Sequence, residues 1–400
     1  MAGIWGISDA TGTFTYYSTI ADVTASASSG DTIQLFADYT TSREVWVLKD
    51  GVNYNLNGHT YTCNDAGAIN AVEDSGGSVN CKIWNGKILR TNGTASTSNS
   101  RTFSIANTDT TLRLHNVEVV SDFGEVIDSF GRIYGGIFRS ERASFDFGAI
   151  CVNMNRRSQW YFCQAYTIGN WGFNTISDDV KMINCYGYSQ NTNPIYDTFS
   201  STYVFGGLFE SDGAIAVRQQ GQSTHFNVSG YSTATDAYDA RGFVFNAIGY
   251  STSGRGISYF GTSNPDDCRL IGSVARSTSS TALIMSRADN IAYKVNALST
   301  ASYAGGIKGE SYQCTFESLS NFSSNRFAYG KVGSSTGDVK NAFQHTSKVF
   351  NSANYNLFSQ VADSFFYGKN TFENSTTSVD PNITNLQTNT EDSFGNILVG

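Results

Sequence analysis

The sequence predicts an all-β chain, a single-stranded right-handed parallel β-helix of about 14 coils with an Asn/Gly bend ladder. Three observations predict it. A short frame (apolar residue, then Asn or Gly, then a small residue) returns every 19 to 31 residues, twelve times in about 260 residues. Such a period is the mark of a solenoid or array. Six of the twelve middle positions are Asn and three are Gly, the residues that enter the left-handed region at lowest cost. The chain has only 3 prolines in 400 residues and no long amphipathic helical stretch, which suits short strands joined by polar turns.

The clearest frames are Leu56-Asn57-Gly58, Trp84-Asn85-Gly86, His115-Asn116-Val117, Tyr134-Gly135-Gly136, Ile183-Asn184-Cys185 and Phe205-Gly206-Gly207. Cys163-Gln164-Ala165, Phe226-Asn227-Val228, Phe245-Asn246-Ala247 and Ile271-Gly272-Ser273 continue the series. Tyr293-Lys294-Val295 and Cys314-Thr315-Phe316 fit it less well. The Asn positions Asn57, Asn85, Asn116, Asn184, Asn227 and Asn246 are expected to stack as a structural ladder, with side chains able to hydrogen-bond along it. The large residue before each bend is expected to fill a narrow interior, and His115, in that column, is expected to be buried. A β-sandwich with Asn-Gly turns is the alternative, but hairpins do not require a large apolar residue before every turn.

Three segments are expected. Residues 1–29 read as an N-terminal cap or adapter, 30–375 as the β-helix, and 376–400 as an extended polar tail. The net charge of −8 with no Lys/Arg cluster argues against nucleic acid as a partner. The absence of an 18-residue apolar run argues against membrane insertion. Seven scattered cysteines without metal-ligand spacing read as buried apolar residues from a reducing compartment rather than a disulfide framework. No secretory signal is visible at the start.

The opening coils carry a resemblance. Gly30-Asp31-Thr32-Ile33-Gln34-Leu35, followed by Leu56-Asn57-Gly58-His59-Thr60, is similar to the start of the pectate-lyase-like β-helix superfamily, which holds polysaccharide lyases, polygalacturonases and bacteriophage tailspikes. The resemblance spans roughly 30–320 and rests on architecture. The His-Gly and Arg-Ile-Lys elements of polygalacturonases are absent, as are the Arg-x-Pro and Asp cluster of pectate lyases. Asp178-Asp179 and Asp266-Asp267 read as solvated turn residues.

What the resemblance implies is a bacteriophage virion surface protein (tailspike, fibre or decoration), structural and glycan-recognising, made in the host cytoplasm and released by lysis. Implied partners are two further copies in a homotrimer, other virion proteins through the N-terminal segment, and host surface polysaccharide. The alternatives are a polysaccharide-degrading hydrolase or lyase on the same fold and a cellular adhesin. Catalysis is the less favoured expectation; no cofactor and no metal are implied.

The residues supply a candidate site. Three positions beyond the small residue of successive frames stand Tyr188, Glu210, Tyr231, Tyr250 and Arg276. If outward, they form an aromatic strip around a carboxylate, suited to sugars, with Tyr188, Tyr231, Tyr250 and Arg276 as the binding residues. Glu210 and Asp212, two apart on one strand face, are the candidate carboxylate pair for glycoside cleavage.

Overall fold

The structure is a computed structural model. It describes residues 3–301 apart from short interruptions (9–10, 43, 66–69, 75–76, 93–100, 123–124, 142–149, 170, 199–200, 260–267 and 287–289), and beyond these mainly isolated strand segments. It is a nearly all-β parallel β-solenoid, only 3% helix, of about 10 turns, a count that differs slightly from the expected 14 coils. The chain divides into two compact units, Met1–Glu210 and Ser211–Gly400.

Each complete coil has three strands. A leading strand runs to the bend, a trailing strand leaves it, and a third strand follows a second corner. In the first unit one coil reads Gln159–Tyr161, Gln164–Thr167 and Phe173–Thr175. Its leading strand lies parallel between Arg132–Tyr134 and Lys181–Ile183. In the second unit the series Phe243–Phe245, Ile248–Ser251, Ile257–Tyr259 repeats the plan, with parallel partners on the coil before and the coil after. Parallel strands stacked this way need a crossover of a dozen or more residues between partners, which one turn of the solenoid supplies.

Alternation of side chains builds the core. On the leading strands of the first unit Cys81, Leu112, Ile133, Trp160 and Met182 stack level and are buried. On the trailing strands Ile88, Val119, Phe138 and Ala165 do the same. The second unit stacks Val244, Leu270 and Ala292 inside the leading strands, and Ala275 and Ala297 inside the trailing ones.

The bend is left-handed throughout. Asn57, Asn85, Asn116, Asn184, Asn227 and Asn246 have φ between 51° and 56°, with Gly135, Gly206 and Gly272 at 63–74°. Two bends depart from the Asn/Gly preference. In the coil assigned to Cys163-Gln164-Ala165 the left-handed residue is Phe162 (φ 57°), so the frame there is Tyr161-Phe162-Cys163. Lys294 (φ 53°) is a full member. Register places Tyr312 level with Tyr293 and Thr315 level with Asn296, so the last frame is also displaced; residues 313–314 lie outside the described residues.

The residue before the bend is not interior, contrary to expectation. Leu56 is buried, but Trp84, Tyr134, Tyr161, Ile183, Phe226, Phe245, Ile271 and Tyr293 are half-buried, and His115 and Phe205 are exposed. The reason is parity. The core residue of the leading strand falls one position earlier, and the left-handed turn then brings the residue after the bend inward: Val117, Cys163, Cys185, Val228, Ala247 and Val295 are buried.

A second ladder marks the corner after the trailing strand. Ser140, Thr167, Ser189, Ser211, Ser232, Ser251, Ser277 and Ser299 stand five residues past their bends and are buried. In the second unit the hydroxyl of Ser277 donates to Gly254 O on the preceding coil (2.7 Å) and accepts from Ser280 N (2.9 Å). Ser232 and Ser299 likewise donate to Ala214 O and Ser280 O, and Gly254 N donates to the Ser251 hydroxyl. In the second unit these hydroxyls thus tie turns to their neighbours, whereas among the described residues the buried Ser140 Oγ has no hydrogen-bond partner.

The first residues close one end of the first unit. Trp5–Ser8 and Phe14–Tyr17 form an antiparallel hairpin, and Trp5–Ile7 also pairs antiparallel with Ile33–Leu35, which is the first strand of the parallel stack. The helix Ile20–Ser26 is N-capped by Thr19 and buries Ile20 and Val23. At its C-terminal end the Lys49 ammonium donates to Thr24 O, Ala25 O and Ala27 O, where a cation complements the helix dipole. Trp5 packs edge-on against Tyr39 and Trp46. Of the expected tail at 376–400 only Ile397–Leu398 is described, paired parallel with Thr371–Phe372; the rest lies outside the described residues.

Candidate functional site

In the second unit the trailing strands Ser229–Ser232, Ile248–Ser251 and Val274–Ser277 bring Tyr231, Tyr250 and Arg276 into one register column. They face outward because their neighbours Gly230, Gly249 and Ala275 face in. A Cβ at Gly249 would run into Gly256 O across the corner, so small inward residues let this strand lie close to the turn. Tyr231 is 38% exposed. The two rings are 6.0 Å apart and inclined at 59°, the Tyr250 hydroxyl meets Thr278 Oγ1 at 3.2 Å, and Arg276 is exposed. Inclination matters chemically. Phe226 and Phe245, on the leading strands, stack at 4.7 Å and 10° and close their faces on each other, whereas the tilted tyrosines leave a ring face available for the C–H face of a sugar.

In the first unit Tyr188 lies level with Tyr166, and Tyr166 with Arg139. The Arg139 guanidinium sits 5.0 Å over the Tyr166 ring and ion-pairs with Glu118 (2.9 Å), which also meets Lys87 (3.4 Å). Tyr166 and Tyr186 rings are 5.5 Å apart at 51°. The Tyr186 hydroxyl donates to Glu210 Oε2 at 2.6 Å; burial, then this carboxylate, push the phenol well above its ordinary pKa. Asp212 stands beyond the end of the strand Tyr203–Ser211 and is exposed. The two candidate carboxylates thus belong to different units, one in a strand and one past it.

Sequence reasoning missed a largely buried acid cluster at the start of the third strands Phe103–Ile105 and Ile127–Ser129 of the first unit. Arg101 Nε meets Glu125 Oε2 and Arg101 Nη1 meets Asp128 Oδ2, both at 2.6 Å. Asn155 Nδ2 donates to Asp128 Oδ1, and Asn153 Nδ2 reaches Glu125 Oε1 at 3.5 Å. Two carboxylates facing one guanidinium would leave a buried net negative charge. Burial accordingly pushes Glu125 up to about 7 against the pull of Arg101, and raises Asp128 in the same direction. A carboxyl of this kind can hold a proton at neutral pH, as a general acid must. No local motif announces it, because its residues come from separate coils. In the second unit Asp239 is similarly buried and pushed up to about 6, while Asp236 accepts from Arg255 (3.3 Å) and Ser258 (2.8 Å).

An Asn-Thr-Asp tripeptide of the polygalacturonase kind does occur, Asn107-Thr108-Asp109. It forms a turn in which Asp109 N donates to Asn107 Oδ1 at 2.8 Å and Asp109 is exposed, so it is a corner rather than a catalytic strand. His115 is exposed, level with Trp84, correcting its expected burial; His225 is buried against the Tyr238 hydroxyl. Six cysteines (Cys63, Cys81, Cys151, Cys163, Cys185, Cys268) are buried and in no disulfide, with burial pushing Cys81 and Cys151 up to about 12; Cys314 lies outside the described residues. Among the described residues no group of three or more His, Cys, Asp or Glu side chains is placed to hold a metal ion, and no helix is long and apolar enough to cross a membrane.

No family model, curated protein or solved structure matches this chain.

Proposed function

We propose that this chain is a glycan-recognising β-solenoid of a bacteriophage virion surface, a tailspike, fibre or decoration protein. The observation that carries glycan recognition is the open-faced pair Tyr231–Tyr250 with Arg276 on the next layer. A ring face, a hydroxyl and a guanidinium in one outward column match the C–H faces and hydroxyls of a sugar chain. The solenoid supplies repeated, evenly spaced layers of about 4.8 Å, on which a polymer can lie in register. The virion setting, and with it a homotrimer joined to other virion proteins through residues 1–29, follows from the resemblance carried by Gly30–Leu35 and Leu56–Thr60 to the pectate-lyase-like superfamily.

One observation favours a second reading, cleavage of the bound polysaccharide. Glu125, pushed up to about 7 beside Asp128, has the proton affinity of a general acid. Glu210, the sequence candidate, is occupied by Tyr186.

The test is a panel of bacterial surface polysaccharides presented to the purified protein, following binding and new reducing or unsaturated ends together. Binding that Tyr250→Ala abolishes, without products, is the expected result. Products lost in Glu125→Gln would make the chain a depolymerase, and products lost in Glu210→Ala would return catalysis to the strand first indicated by sequence. Absence of binding across the panel would leave a purely structural virion part.

A further inference from the structure

The outward face of the leading strands in the first unit combines cations that lack a carboxylate partner with exposed rings. Two of them, Lys82 and Arg113, lie over the Trp84 and Tyr134 rings, and Arg113 also donates to Asn80 Oδ1. Two register columns run along it. Arg132, Gln159 and Lys181 are level in one; Lys82, Arg113, Tyr134, Tyr161 and Ile183 are level in the other. Lys82, Arg113, Arg132 and Lys181 are all exposed, and among the described residues none of the four has a carboxylate partner. By contrast, Lys87, Arg101, Arg139 and Arg255 are all paired with acids. In a chain of net charge −8, a strand face carrying only cations is a local reversal of sign. The turn leading into it is near balance, with Arg156 and Arg157 on one coil and Asp178 and Asp179 on the next.

Phe162 adds an independent anomaly. It is the only aromatic residue among the described left-handed bends, with φ 57°, and it is 60% exposed. A bulky side chain in that region is a conformational outlier, and exposure removes the burial that could offset it. Neither folding term accounts for Phe162, and strain held without a folding reason points to function. Tyr203 and Phe205, 41% and 39% exposed, lie on the strand paired with Lys181–Ser189, their rings nearly parallel.

We infer that this face is a second glycan subsite, selective for acidic sugars, in which Arg132 and Lys181 take the carboxylates and Phe162, Tyr203 and Phe205 take the sugar faces. The inference rests on the glycan-recognition reading and narrows its ligand to an anionic polysaccharide. A nucleic acid strand is disfavoured: the Tyr134–Tyr161 pair, stacked at 4.4 Å and 4° under the Arg113 guanidinium, offers edges rather than open platforms for bases.

The experiment measures binding of short oligouronates, of the same oligomers after carboxyl reduction to neutral sugars, and of an oligothymidylate, each over a range of salt. Expected are binding of the uronates alone, weakening with salt, and a loss of roughly tenfold or more in Arg132→Ala/Lys181→Ala. Phe162→Asn is expected to raise the melting temperature while weakening uronate binding, which separates the site from the fold. Equal binding of reduced and acidic oligomers, lost only in Tyr250→Ala, would overturn this subsite and leave the glycan reading standing. A Phe162→Asn variant that is stabilised yet binds uronates unchanged would remove Phe162 from the site. Binding of the oligothymidylate with the same variant dependence would replace the acidic glycan by single-stranded nucleic acid. No binding of any oligosaccharide would overturn both readings.

Discussion

The Tyr186 hydroxyl donates a 2.6 Å hydrogen bond to Glu210 Oε2 across adjacent coils of the first unit. It needs a protonated phenol, and the upward shift of Tyr186 keeps the phenol protonated well past the range where an ordinary tyrosine ionises. Tyr186→Phe is expected to cost about 1 kcal/mol, the usual net worth of such a bond. A double-mutant cycle with Glu210→Ala should return a coupling of similar size. Denaturant titration of the four proteins measures it; additive effects would mean the bond contributes nothing in solution.

The serine column predicts a different pattern. Ser277 is buried, donates to Gly254 O and accepts from Ser280 N. Ser277→Ala leaves a buried carbonyl and a turn N–H each short of a partner, a loss of about 1–3 kcal/mol. Ser279, whose hydroxyl bonds to Thr252 O and Ser253 O at the exposed edge of the same corner, should lose less than about 0.5 kcal/mol when changed to Ala. Comparable losses at both positions would refute a special role for the buried ladder.

At the bend the discriminating substitutions are at Asn184 (φ 51°). Asn184→Ala forces a Cβ-bearing residue without a local hydrogen-bonding side chain into the left-handed region, at about 1 kcal/mol. Asn184→Gly should be close to neutral, since glycine reaches the same angles freely. Melting temperatures that rank Asn and Gly together, above Ala, are the expected result. Equal values for Ala and Asn would mean that backbone conformation does not select the residue.

The bend was legible in sequence because one backbone angle restricts the residue type, and nine of the eleven described left-handed bends at these coil corners hold Asn or Gly. Phe162 was misplaced for the same reason, and Lys294 fitted the frame less well, as both disobey the preference. The serine ladder was equally periodic, five residues past every described bend from Asn116 onward, and would have located the bend at 162 from Thr167. It went unread because Ser is common everywhere in this chain. The inward or outward sense of the pre-bend column was misjudged, since a half-buried aromatic ladder and a core ladder have the same composition. Of the candidate strip, the spacing placed Tyr231, Tyr250 and Arg276 in one column, because strand periodicity carries that information. Arg101, Glu125 and Asp128 carried no local signal; their meeting depends on the rise of the whole stack.

That cluster makes the remaining prediction, in pH. Glu125 is pushed from 4.5 to about 7 by burial, Asp128 moves up as well, and Asp239 in the second unit rises to about 6. A carboxyl with a raised native pKa stabilises the fold fully below its unfolded value. As pH climbs from about 4.5 to about 7 the unfolded chain has already released the proton that the native state still holds, so stability falls across that window. For Glu125 alone the loss is on the order of 3 kcal/mol. Glu125→Gln keeps a neutral group beside Arg101 and leaves the guanidinium paired one-to-one with Asp128. The variant should therefore show a flatter profile and exceed the native chain in stability near pH 8. Unfolding by denaturant at a series of pH values decides it. Native stability that rises through the window would mean that Glu125 is ionised against Arg101 throughout, and would withdraw it as the acid of any glycan-cleaving reaction.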